Sequence, residues 1–493
     1  MKRIISLILL SVLAVITVSC APDANFENKD KETTAANEQN AADTTAAEED
    51  KYGSLPEINM DGFELRFYNY DYSWMTWAIN ELDVEEQTGD LILDEIYKRN
   101  RRIEEKYNCN IIETTVGHPE QTLRRIVQSG DDLYDIAQFY DEYAVNYYTQ
   151  GLLHTWDKIP YIEPDAPWWL QDANDVFIIH GRQFAAVGAF SLNMYSRTYV
   201  FLFNKDMVKN LGINENMYDL VRGGKWTLDK FAEIAKQAAA DLNGDGIMNQ
   251  NDRYGITTTA TAYFGALVAG AGVKYIDIDE QGNPYFAIPG NMYALDVMQK
   301  IFDMNRGTDI YYKSSNDISS GGAVATQMFN DGQILFTSTS LRGIDHHNFK
   351  GMDIDIGILP IPKYNETQEK YHSLTTMGCV SVLPGSMAED RFNNVGLLIE
   401  ALSRDSYQSL HPIYKETTLK TKYSKDEDSE QMLDIVFDSI TFDLGASVFP
   451  NETFLAYMDY FLNRNDSFVS ATERLEPRVN VAINKLIQAS ETD

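Results

Sequence analysis

The sequence predicts an α/β fold, and three observations predict it. Short runs with alternating apolar residues recur, as in Phe63-Glu64-Leu65-Arg66-Phe67-Tyr68, which is the period of a strand with one buried face. Longer stretches repeat apolar residues at helical spacing with charges between them, as at Ile92, Ile96, Ile103 and Tyr107. The two kinds alternate along the chain rather than segregating.

Taken in order, the strand at Phe63 ends in Asn69-Tyr70-Asp71, and the helix runs from Ile92 to Tyr107. Asn110 to Thr114 is the next strand. Glu120 to Gln128 is a helix stopped by Ser129-Gly130, and Asp135 to Tyr140 is a third strand. Two consecutive strand–helix–strand units predict right-handed crossovers and a parallel sheet. Ligands of such sheets bind beyond the carboxyl ends of the strands. Tyr70, Asp71, Tyr72 and Trp74 are therefore expected on one rim, together with Tyr140 and Asp141. Later, Tyr199 to Phe203 reads as a strand, followed by a helix with a glycine stop at Gly212. Thr227 is placed as the N-cap of a helix running to about Ala240.

The first residues carry a targeting signal. Lys2 and Arg3 precede an apolar run from Ile4 to Val18, too short to span a bilayer comfortably. Ser19 then precedes Cys20, the arrangement in which a bacterial lipoprotein thiol is acylated, with Thr17 where leucine is usual. Residues 1–20 are thus expected to be a lipoprotein signal peptide, with Cys20 lipidated and carrying palmitate. The competing reading is an ordinary cleaved signal. Residues 21–56 are rich in Ala, Thr, Asn, Glu and Asp without apolar periodicity, and are expected to be a disordered acidic tether.

The net charge of −33 excludes nucleic acid as a partner, since no basic surface is available to neutralise phosphates. Of the three cysteines, Cys109 and Cys379 lie in strand-like runs and read as buried free thiols; a disulfide between them stays open.

The segment Phe203-Asn204-Lys205-Asp206-Met207, with Leu211-Gly212-Ile213 and Trp226-Thr227-Leu228-Asp229-Lys230-Phe231, resembles a hallmark of the bacterial extracellular solute-binding proteins of ABC importers, family 1. Ser129 to Ile136, Gly151 to Trp156, Met328 to Phe336, Ile356 to Lys363 and Phe468 to Ile487 resemble further segments of that family in the same order. The resemblance covers most of residues 60–490. It implies a bilobed periplasmic-binding-protein-like fold, two α/β lobes joined by a multi-strand hinge. Residues 57–190 plus 365–405 would form lobe 1, and 191–364 plus 406–493 lobe 2. It also implies a monomer that captures a solute and presents it to permease subunits, anchored outside the plasma membrane through its lipid alone.

The sharpest local motif is Asp241 to Asp252. Oxygen-bearing residues fall at loop positions 1, 3, 5, 9 and 12 (Asp241, Asn243, Asp245, Asn249, Asp252), with glycine at position 6 and the Ile247 carbonyl at position 7. That is the spacing with which an EF-hand-type loop collects oxygens around Ca2+, with Asp in place of the usual Glu at the last position. A structural calcium ion is expected there.

Sugar recognition stacks aromatic faces on the ring and pairs hydroxyls with carboxylates, amides and guanidinium groups. The 29 tyrosines and 6 tryptophans make a carbohydrate the expected solute. Besides the rim residues, the candidates are Tyr195 at the first lobe crossing, Tyr263 and Phe264, and Ser338, Ser340 and Arg342 at the end of a strand. Trp168, Trp169 and Trp226 read as packing residues. His346-His347 reads as a solvated loop, because adjacent histidines point apart. No G-x-S-x-G, H-E-x-x-H, P-loop or dinucleotide motif occurs, so no catalytic residue is assigned. The alternatives are a binding protein for a peptide or other small solute, a surface glycan-active enzyme, and an adhesion lipoprotein.

Overall fold

A computed structural model describes residues 51–73, 75–258, 263–306, 309–312, 323–345, 349, 352, 354–419, 427–463 and 467–492. Two sheets organise them. The first holds five strands in the order Cys109–Val116, Phe63–Tyr70, Ile136–Tyr140, Cys379–Pro384, Leu153–His154. Its first three strands are parallel, as two strand–helix–strand units require, and Cys379–Pro384 is antiparallel to its neighbours. The second holds four strands in the order Ile356–Leu359, Tyr199–Asn204, Ile334–Ser340, Tyr254–Thr258.

Local chemistry sets the element boundaries. Asp90 caps the helix Leu91–Tyr107 by accepting from the N–H groups of Ile92 and Leu93, and Asn108 ends it in the left-handed conformation at φ 49°. Thr227 caps Leu228–Ala238 by accepting from Lys230 N–H. That helix lies hard against the strand Tyr254–Thr258, where a Cβ on Gly255 would stand 2.3 Å from the Ala235 carbonyl oxygen. Trp226 and Trp169 are buried, and Trp168 and Trp169 both donate to the Glu400 carboxylate, at 2.7 and 3.0 Å. Cys109 and Cys379 are free, buried thiols at the starts of their strands.

Two expectations need correction. Residues 51–56 are not tether. The Tyr52 hydroxyl donates to Asp405 at 2.8 Å, Arg404 donates to the Tyr52 carbonyl at 2.8 Å, and Leu55 is buried. One aromatic and one aliphatic side chain suffice to dock this segment, and neither makes a periodic signal. Nor does the chain leave the second lobe at residue 365. Gln368 donates to the Gly270 carbonyl and Tyr371 to the Val221 carbonyl, at 2.8 and 3.0 Å. These bonds hold the segment beside the second sheet until Ser373–Leu374 pairs with Ile440–Thr441. The return to the first sheet occurs over Thr375–Cys379.

Candidate functional site between the two sheets

The chain passes from the first sheet to the second through Leu192–Thr198 and returns through Thr375–Cys379. Asn193 binds the two passes together, its amide oxygen accepting from Cys379 N–H at 2.6 Å. Gly378 sits where the passes press closest: a Cβ there would lie 2.5 Å from Met194 Sδ and 2.9 Å from Asn193 Oδ1. The carboxyl ends of Phe63–Tyr70 and Ile136–Tyr140 meet this junction from one side. The start of Tyr199–Asn204 and the end of Ile334–Ser340 meet it from the other, with Leu341 N–H donating to the Thr198 carbonyl at 2.9 Å.

An aromatic group forms the first wall. The rings of Tyr70 and Tyr140 lie 5.5 Å apart, and the Trp77 indole N–H donates to the Tyr140 hydroxyl at 3.0 Å. Trp77 is 37% exposed, whereas Tyr70 is fully buried and donates to Glu120 at 2.7 Å. Trp74 lies outside the described residues.

The segment carrying Trp77 is pegged by amides. Asn80 donates to Asn69 Oδ1 at 3.0 Å, Asn193 donates to Asn80 Oδ1 at 2.8 Å, and Ile79 N–H donates to Ser196 Oγ at 3.0 Å. The Glu113 carboxylate closes the peg, accepting from Asn69 at 2.7 Å, from the N–H groups of Leu82 and Asp83 at 3.2 and 2.9 Å, and from the Tyr72 hydroxyl. Burial raises this carboxyl to about 7, against the pull of those donors. Tyr72 is therefore an anchor of the loop rather than a face for ligand.

The folded chain holds the Glu113 proton more tightly than the unfolded chain, where the ordinary value is 4.5. Its contribution to stability is full below about 4.5 and is lost as pH rises through about 7. Glu113→Gln has no such titration. Relative to wild type, the variant is expected to gain on the order of 3 kcal/mol between pH 5 and pH 8, at 1.36 kcal/mol per unit. Urea unfolding of both proteins at the two pH values measures it, and a difference that does not change with pH sinks the assignment. His411, lowered by burial to about 4, works in the opposite sense in both proteins and cancels.

Two polar groups near the junction, Asp141 and Arg197, have bonding capacity left over. Asp141 is 2% exposed; its Oδ1 accepts from Glu142 N–H at 3.0 Å, while buried Oδ2 accepts no bond of ordinary geometry. Burial holds this carboxyl well above the usual range, with the nearby Ser447 hydroxyl and Arg197 guanidinium pulling it back. Arg197 donates weakly to the Tyr199 hydroxyl at 3.4 Å, and its buried Nε has no partner. A buried polar atom left unpaired costs about 1–3 kcal/mol, so these two have capacity for a further partner.

The remaining candidates fall elsewhere. Asp71 lies at the surface, its carboxyl lowered by donors from Ser73. Ser340 pairs opposite Tyr199 at the junction, but its hydroxyl accepts from Gly343 N–H at 3.3 Å. Ser338 is buried within the sheet opposite Phe201. Arg342 follows the Thr198–Leu341 bond and is half-buried beside the junction. Tyr195 packs edge-on against His411 at 4.4 Å and is buried. Tyr263 and Phe264 are core residues rather than contacts: the Tyr263 hydroxyl donates to Asn305 at 2.8 Å, and Phe264 stacks on Phe461 at 4.7 Å. The helix Tyr263–Gly270 is apolar all round and buried throughout, which leaves it no open face. Trp77 and Arg197 were not singled out by sequence; Trp77 shares the loop of Trp74, but nothing in the spacing marks Arg197.

The acidic loop sits away from this junction, at the start of Tyr254–Thr258. Asp241 accepts from the N–H groups of Gly244 and Gly246 at 2.7 and 2.8 Å, which lowers its carboxyl. Asp252, fully buried, accepts from Leu242 and Asn249 N–H at 3.0 and 2.8 Å. Gly244 and Gly246 both take positive φ, 72° and 77°, so the loop needs glycine there. Among the described residues no three His, Cys, Asp or Glu side chains gather as a metal centre; the loop's own ligand set mixes three aspartates with two asparagines and a carbonyl.

A family model described as bacterial extracellular solute-binding protein matches residues 105–376, more than half the chain. The chain belongs to that family. It is therefore a solute-binding protein, and its family places it outside the cytoplasm. No curated protein matches it. Solved structures share its bilobed α/β fold at low identity. The ABC substrate-binding protein Lmo0181 from Listeria monocytogenes, in complex with cycloalternan, is 15% identical with a TM-score of 0.53, covering 86% of this chain and 100% of its own. The cyclic α-maltosyl-1,6-maltose binding protein from Arthrobacter globiformis is 12% identical with a TM-score of 0.56, covering 86% and 99%. UspC from M. tuberculosis is 13% identical with a TM-score of 0.56, covering 85% and 100%.

Proposed function

We propose that this protein captures a carbohydrate, a mono- or oligosaccharide, between its lobes and delivers it to the permease subunits of an ABC importer. The observation that carries the reading is the junction itself. A partly exposed indole at Trp77 stands beside Tyr140, and the unpaired Asp141 Oδ2 and Arg197 Nε lie next to them. An aromatic platform with an acceptor and a donor at its edge suits a polyol ring, whose faces are apolar and whose rim is hydroxyl. Two of the similar structures are named for cyclic oligosaccharides, in line with the same class. Lobe closure over the ligand by hinge motion is the binding step, and no covalent chemistry is assigned.

The same reading includes two features of the chain outside the junction. Cys20 is the lipid attachment point, holding the protein on the outer face of the plasma membrane. Asp241, Asn243, Asp245, Asn249, Asp252 and the Ile247 carbonyl hold a structural Ca2+, which a hard cation with six or more oxygen ligands suits.

Thermal unfolding of residues 21–493 against mono- and oligosaccharides, with calcium or with chelator, tests both. A ligand of the native state stabilises by mass action, by about 2.7 kcal/mol at a hundredfold excess over Kd. The expected result is a raised midpoint with one sugar class, and a lowered midpoint with chelator that Ca2+ restores and Mg2+ does not. No shift with any sugar in folded protein overturns the carbohydrate reading and directs the search to peptides and other solutes. Indifference to chelator overturns the calcium site.

A further inference from the structure

A cavity lies at the start of Tyr254–Thr258, beside the acidic loop. It has a volume of about 550 Å³ and is lined by Met248, Asn249, Gln250, Tyr254, Asp309, Tyr311 and Tyr312. Its size falls within the roughly 300–1,000 Å³ typical of small-molecule sites. The cavity is built from three pieces of chain held in register. Ile256 N–H donates to the Ile310 carbonyl and Tyr312 N–H to the Ile256 carbonyl, at 2.8 and 2.9 Å, so residues 310–312 extend the sheet. Gln333 donates to the Gln250 and Asp252 carbonyls at 2.9 and 3.1 Å, which fixes the loop as the third wall.

The lining selects a chemistry. The rings of Tyr254 and Tyr312 lie 5.1 Å apart at 57°, giving an aromatic corner. Asp309 and Gln250 are exposed at its mouth, an acceptor and an amide that both donates and accepts. Among the described lining residues there is no lysine, arginine or histidine, and the adjoining loop adds Asp241 and Asp245. Anions are disfavoured by that charge, and greasy ligands by the polar walls. What fits is a neutral polyhydroxylated ring.

We propose that this cavity is a second saccharide-binding site, independent of the inter-lobe junction. It lies at the start of Tyr254–Thr258, while the junction adjoins the far end of the same sheet; four strand steps put about 13 Å between the two ends. All its residues come from one lobe, so a sugar unit binds there without lobe closure. The site holds a sugar whether or not the junction is filled, and gives the protein two points of attachment to a longer glycan.

Methyl NMR of the whole 21–493 chain, labelled at methionine, reads this site directly, because Met248 lines the cavity; Met248→Leu assigns its resonance. The probes are glucose, maltose, and linear and cyclic malto-oligosaccharides, with spermidine as a cationic control. The expected result is a saturable shift of the Met248 methyl with a saccharide. Asp309→Asn weakens it roughly tenfold or more, as loss of a hydrogen bond to a charged group does. Asp141→Asn leaves it unchanged. Because Asp309 is exposed, its substitution spares the fold. A Met248 shift given only by spermidine, or by no probe, overturns the second site even where the junction binds sugar. A Met248 shift that disappears in Asp141→Asn also overturns it, by showing a response relayed from the junction.

Discussion

Asp141→Asn is expected to weaken solute capture by roughly tenfold to a hundredfold while leaving the fold as stable as before, or more so. Hydrogen bonds to charged groups contribute about 1.5–3 kcal/mol, which sets that range. The fold keeps its local bond, since the asparagine oxygen still accepts from Glu142 N–H, and it loses a carboxyl whose ionised form burial disfavours. Binding and stability therefore move apart, the mark of a residue held in an uncomfortable state for its ligand. Titration calorimetry with the solute found by the thermal screen, beside urea unfolding of the same variant, gives both numbers. Unchanged affinity removes Asp141 from the site. Lower stability in equal measure makes it a structural residue instead.

Arg99→Met is expected to cost about 2–4 kcal/mol of stability, since each buried acceptor left without a donor costs about 1–3 kcal/mol. Arg99 is fully buried, and burial lowers its guanidinium to about 10 against the pull of Asp405 and Asp83, so it stays protonated at neutral pH. It donates to the Leu82 and Phe190 carbonyls at 2.8 Å each, to Ser406 at 3.0 Å and to Asn100. Methionine fills much of the volume but leaves two buried carbonyls without that donor. Leu82 ends the loop that carries Trp77, and Phe190 leads into the first pass between sheets. The variant is thus expected to lose ligand affinity as well as stability. A cost under about 1 kcal/mol in urea unfolding would show that water replaces the guanidinium at little penalty.

What could be read from the sequence follows the range of the forces involved. The strand at Phe63 and the helix ending at Tyr107 are written in local periodicity, and the structure places them within a residue or two of expectation. The N-caps at Thr227 and the glycine stop at Gly212 are equally local. The docking of Tyr52 on Asp405 joins residues 353 apart, and no local pattern announces it. Ser373–Leu374 pairs with a two-residue strand some 67 positions later, again without a periodic signal. At the junction, aromatic composition pointed to tyrosines in general but could not say which had an open face. Tyr72, Tyr195 and Tyr263 have their rings or hydroxyls engaged by Glu113, His411 and Asn305. Trp77 and Arg197 matter because of what surrounds them after folding.

The clasp at Tyr52 also determines where force enters the molecule. Beyond the hydrogen bonds with Asp405 and Arg404, its ring lies edge-on to Tyr107 at 6.3 Å and under the Lys106 ammonium at 5.0 Å. Any pull on the chain before residue 51 is therefore taken up by the helices Leu91–Tyr107 and Phe392–Gln408, in shear across several side chains at once. Neither pass between the sheets lies on that load path. The contacts that fix the amino-terminal segment and those that join the two sheets are therefore carried by separate parts of the molecule.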